Sequence, residues 1–150
     1  MDTYSLLKLV HVLAAILAVG TNLTYFVWLS RARKHPEQGP HVLPGIKALD
    51  ARLANPAYVV LPVTGILMVL DADLGFTTFW IATAIGLYVV LAVVAGALFS
   101  PSLRRQVELA ATGAEPPVYD QAAKRTTVTG VITMLPIAAI LYLMVIKPTP

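Results

Sequence analysis

The stretch SLLKLVHVLAAILAVGTNLTYFVWL, residues 5–29, followed at once by SRARK, residues 30–34, decides the fold. A helix needs about 20 predominantly apolar residues to cross the hydrocarbon of a bilayer, and this run exceeds that. The basic cluster behind it supplies a second signal. Arg31, Arg33 and Lys34 halt the apolar pattern and mark the side of the membrane on which that end of the helix stays.

Working outward, three more runs of the same kind follow at residues 53–70, 78–99 and 126–146. With 57% hydrophobic residues, 13% charged and a mean hydropathy of +0.74, 150 residues hold more apolar surface than a soluble core could hide. The reading is all-α: a four-helix up-down-up-down transmembrane bundle forming one integral membrane domain over residues 1–150. Of the 11 Lys and Arg residues, nine lie in the segments after the first and third runs, whereas the turn after the second carries Asp71 and Asp73. Basic segments are retained in the cytoplasm, so the acidic turn and both termini are expected outside. Residues 1–5 carry no basic leader, which predicts that the first run remains as a helix.

Several function classes fall away. Cysteine is absent, which excludes disulfides, thiolate nucleophiles and cysteine-ligated clusters. The net charge of +3 flanks membrane segments and is not interleaved with aromatics, so nucleic acid is not an expected partner. Arg31, Arg33, Lys34, Arg104, Arg105, Lys124 and Arg125 are expected instead to contact anionic lipid heads. No phosphate-binding glycine loop, zinc-binding histidine pair or nucleophile elbow is present, and whether the chain is an enzyme stays open.

The inner segments look partly ordered. Ser100, Pro101 and Ser102 resemble a helix start with proline in the first turn, predicting a short cytoplasmic amphipathic helix with Leu103, Val107 and Ala111 on its face and a stop at Gly113. Residues 36–44 and 113–117 are the expected loops. Within the spans, helical spacing gathers Lys8, His11, Ala15, Ala18, Asn22 and Tyr25 on one stripe of the first. Asn55, Tyr58, Pro62 and Gly65 share a stripe of the second, and Thr126, Thr129, Thr133 and Pro136 of the fourth. The third offers Ala82 with Gly86 and Ala92 with Gly96. Packing between helices explains nearly all of these positions.

Lys8 and His11 are the strongly ionisable side chains inside the apolar runs, and an intramembrane ionisable group is a functional candidate. Depth along the helices brings Met68, Tyr142 and Met144 to the outer third, where His11 lies, with Asp71 at the rim. Imidazole and thioether suit haem iron or cuprous copper, which makes His11 the candidate metal ligand and Met68, Met144 and Lys8 its candidate cofactor-binding neighbours. The plain alternative gives His11 one hydrogen bond across the bundle, to a tyrosine hydroxyl, Asp71 or a backbone carbonyl. His35 and His41 read as solvated residues at the opposite end.

The sequence Leu6-Leu7-Lys8-Leu9-Val10-His11-Val12-Leu13-Ala14-Ala15, followed by Gly20, resembles the opening helix of a bacterial membrane family catalogued as domain of unknown function 2269. The resemblance extends over most of the chain, through the Pro62–Gly65 region, Trp80 and Arg104-Arg105, and it implies a bacterial inner-membrane location. More distantly, the first helix is similar to those of copper-resistance protein D and the HemJ-type protoporphyrinogen oxidase, whose corresponding histidine is associated with metal or haem. That likeness implies a ligand role for His11, with Lys8 as the second position carried over. A rival expectation is a non-catalytic accessory or scaffold subunit, in a homo-oligomer or a larger membrane complex.

Overall fold

The computed structural model describes residues 2–149; Met1, which belongs to the leader reading, lies outside them. Four long helices make up the chain: α1 (Thr3–Lys34), α2 (Gly39–Asp71), α3 (Phe79–Ala111) and α4 (Pro116–Ile146), each long and apolar enough to cross a membrane. At 1.5 Å per residue, helices of 31 to 33 residues are close to 50 Å long, against about 30 Å of hydrocarbon. All four therefore outrun the lipid. The surplus lies at the end holding the basic segments, called here the basic end; the Asp71–Asp73 turn marks the acidic end.

Residues 36–44 are not the expected loop. A short 3-10 turn at Pro36–Gln38 leads directly into α2. Pro40 sits in its first turn, where no N–H is needed, and Pro44 is tolerated because Leu43 and Ile46 beside it are 0% and 2% exposed. His35, before Pro36, has left helical geometry at φ −129°, ψ 75°.

The separate amphipathic helix also takes a different form. Residues 100–111 are the last turns of α3, and their buried face is Ser102, Leu103, Gln106 and Leu109, turned toward α2 and α4. Pro101 widens the helix instead of breaking it. A proline ring collides with the carbonyl four residues earlier, and one wide turn relieves the clash. Such turns span Ala95–Phe99 before Pro101 and Asp50–Ala54 before Pro56. They close through Ser100 N–H to the Ala95 carbonyl and Asn55 N–H to the Asp50 carbonyl. At the far end of α3 the chain does stop at Gly113: its φ is +64°, and Gly113 and Ala114 donate back to Ala110 and Leu109 in a Schellman closure.

Packing differs along the bundle. At the basic end all four helices contribute to one contiguous core, including Tyr25 and Leu29 from α1, Leu43 and Ile46 from α2, Phe99 and Leu103 from α3, and Tyr119 from α4. The Tyr25 and Phe99 rings stack at 6.4 Å. Toward the acidic end the helices associate as two antiparallel pairs, α1 with α2 and α3 with α4. Although a short turn joins α2 to α3, their halves near it scarcely touch. Ala14, Ala18 and Ala57 form the small core of the first pair.

The predicted stripes on α1 and α4 are buried at Ala18, Asn22, Tyr25, Thr126, Thr129 and Thr133. On α3 the small residues face outward: Ala82, Gly86, Ala92 and Gly96 are exposed, and Ile81, Ala84, Leu91 and Phe99 are buried. The reason is complementarity, because α4 supplies the hollow. A Cβ on Gly130 would lie 3.4 Å from the Phe99 ring.

Candidate functional site

His11 is half-buried between α1 and α2, with Nδ1 2.8 Å from Thr64 Oγ1. The Thr64 hydroxyl donates to the Val60 carbonyl at 2.8 Å and lies 3.2 Å from that of Leu61. With that proton directed along its own helix, the tautomer that fits has His11 Nδ1–H donating to Thr64 and the lone pair on Nε2. Gly65 makes the seat, since a Cβ there would lie 3.4 Å from His11 Cε1. The partner is thus neither a tyrosine nor Asp71. One threonine in an apolar run reads as neutral in sequence, and only the pairing of α1 with α2 aims Thr64 at the imidazole.

The other named residues are spread around this point. Met68 is half-buried on α2, one turn from Thr64 on the same face. Met144 is half-buried on α4, in the other helix pair, whose acidic end is closed by Lys147 Nζ lying 5.3 Å from the Trp80 ring centroid. Lys8, Tyr142 and Asp71 are exposed. Among the described residues no group of three or more His, Cys, Asp or Glu is placed to hold a metal ion. His41 is exposed at the basic end, as is His35, which has Nδ1 3.3 Å from Glu37 Oε1. The seven basic residues assigned to lipid heads are all exposed; Arg33 Nε pairs with Asp120 at 3.2 Å, and Arg105 with Glu108 at 3.8 Å.

A second polar group occupies the middle of the bundle. Asn22 Nδ2 donates to the Ala18 carbonyl at 2.8 Å and to the Tyr58 hydroxyl. Pro62 cannot donate to the Tyr58 carbonyl, and the Tyr88 hydroxyl of α3 does so instead, tying the two helix pairs together. Tyr25 donates to Asp50 Oδ1 at 3.3 Å. Asp50 is half-buried, although flanking Lys47 and Arg52 make its segment read as solvated. A larger hollow of about 400 Å³ at the basic tip is bounded by the Arg33–Asp120 pair and the turn after α3, and its two charged groups already satisfy each other.

Four apolar helices with polar groups sealed between them are what a membrane domain requires, and the family profile described as predicted integral membrane protein (DUF2269) matches residues 5–148. The chain belongs to this family. No curated protein and no solved structure matches it. For a DUF2269 protein, then, membership establishes a multi-pass integral membrane domain, and the sites inside it are argued from geometry.

Proposed function

We propose that this DUF2269 protein is a bacterial inner-membrane protein, its basic end in the cytoplasm and its termini outside, that holds haem b or copper through His11 Nε2. One observation carries the reading. The Thr64 contact fixes His11 by Nδ1 and leaves Nε2 as a lone-pair donor, the arrangement in which ligating histidines are held by an outer hydrogen bond. Met68 supplies a thioether one turn away, and an imidazole–thioether pair is soft, suited to haem iron or cuprous copper. Met144 would join only if the two helix pairs approach at the acidic end, and Lys8 would meet an anionic group at the rim. A haem iron or cuprous ion there would supply one-electron redox chemistry, and the lipid-head contacts of the seven basic residues would hold the depth.

The test is the absorption spectrum and copper content of detergent-purified protein, wild type against His11→Ala. A haem band or stoichiometric copper that the substitution removes is expected. A featureless spectrum without copper in both proteins sinks the reading.

The second reading, an accessory or scaffold subunit, is favoured by a different observation: the halves of α2 and α3 near their connecting turn leave each other's apolar faces uncovered. Another membrane helix would fit there. Crosslinking in native membranes separates the readings, since a stoichiometric larger partner supports the second and a monomer or homodimer carrying a chromophore supports the first.

A further inference from the structure

Where the four helices converge, a cavity of about 50 Å³ is lined by Asn22, Asp50, Asn55, Tyr58, Ser100 and Thr133, among others. Its volume admits only a few water-sized particles and excludes any organic substrate. Both wide turns of the molecule close on it. Asp50 and Asn55 are the two residues whose backbones close the turn before Pro56, and Ser100 closes the turn before Pro101. Two helices are thus deformed at one level, a feature common at functional sites.

Oxygens lead the polar lining, and the Tyr58 and Ser100 hydroxyls and the Asn55 amide bring donors as well. Both amide protons of Asn22 are committed, to the Ala18 carbonyl and to Tyr58, and the Thr133 hydroxyl donates to the Gly130 carbonyl at 2.7 Å. The oxygens of these groups remain as acceptors. Asp50 adds a carboxylate, and none of the ion pairs among the described residues involves it. Its one hydrogen bond comes from the neutral Tyr25 hydroxyl. A carboxylate drawn partly out of water without a cationic partner either takes up a proton or gathers a compensating positive charge.

We propose that this cavity binds one small alkali cation of Na+ size, with the Asp50 carboxylate as its charged ligand and neutral hydroxyl and amide oxygens completing the shell. Hard oxygen ligands select such ions, and a single carboxylate is too little charge for a divalent cation, whose protein sites gather several. The site lies far along α1 from His11 and does not depend on the role assigned there.

The experiment uses the full chain in detergent micelles, with thermal unfolding followed as NaCl replaces choline chloride at constant chloride. Wild type is expected to gain Tm saturably with Na+, because a ligand of the native state stabilises it by mass action. Asp50→Asn should raise the half-saturating Na+ concentration by roughly a hundredfold or abolish the response, and Thr133→Val should raise it several-fold. A Tm that is the same in Na+ and choline and follows only pH means that Asp50 carries a proton, and overturns the proposal. So does an Asp50→Asn protein that keeps the wild-type Na+ response. Should that variant not fold, an unchanged half-saturating concentration in Thr133→Val overturns it equally.

Discussion

The two ends of the same four helices are built on different rules. At the basic end, large side chains from every helix interlock into one core, with Leu43 and Ile46 almost wholly buried. At the acidic end the helices pair two by two over alanines and threonines, while Ile16, Val59, Leu70 and Leu135 stand more than 60% exposed. The contrast follows from the surroundings. Beyond the hydrocarbon, water drives apolar side chains together; within it, lipid tails accept them as readily as a neighbouring helix does, and close contact between small residues with polar links takes over. The basic-end core carries one flaw of its own: Gln106 is 1% exposed, donates to the Tyr119 hydroxyl at 3.3 Å, and leaves its Oε1 without a partner.

This contrast can be broken by mutation. The largest effect belongs to the basic end, where Leu43→Ala should cost about 2–5 kcal/mol of stability in detergent unfolding, against less than about 0.5 kcal/mol for Leu135→Ala on the outer face. Equal losses would mean that the two ends pack alike. Next comes the seam of the first helix pair. Ala18→Leu puts a large side chain where 1% of the alanine is exposed, and should destabilise by about 1–3 kcal/mol through overpacking.

A smaller effect sharpens the account of how the pairs are joined. Tyr88→Phe should cost about 0.6 kcal/mol, the usual worth of a hydrogen bond between membrane helices, but close to nothing in a Pro62→Ala background, where the restored backbone N–H can serve the Tyr58 carbonyl itself. A double-mutant cycle showing no coupling would remove proline from the explanation. The smallest change is expected at Arg33→Ala. Its pair with Asp120 is exposed on both sides at 42% and 49%, so the loss should stay within about 0.5 kcal/mol and vanish in high salt.

Legibility varied with how local each signal was. Apolar runs that approach or exceed the thickness of a bilayer, punctuated by Arg31–Lys34 and Arg104-Arg105, declare four membrane helices without reference to any contact. Their limits at the basic end were harder to read, because Pro44 and Pro101 look like breakers and act as a tolerated and a widened turn. The cost of a missing N–H depends on what packs around it. The candidate site toward the acidic end was half legible. His11 stands out as an ionisable residue in an apolar run, but Thr64, 53 residues away, becomes its partner only through the pairing of α1 with α2. The central cavity was legible only where Asn22, Tyr58 and Thr133 fall on the stripes; its acid was not, since Asp50 has Lys47 and Arg52 close by in sequence and Tyr25 as its partner in space.

Composition and charge order alone therefore determined that this is a four-helix membrane domain, since transfer of apolar runs into lipid and retention of basic clusters depend on each segment by itself. The tertiary structure decided which helices pair, where the deep core lies and which polar groups meet, because each depends on the rotation of one helix against another. The difference between Asp50 as a solvated surface acid and Asp50 as the charged wall of a cavity is a rotation of that kind.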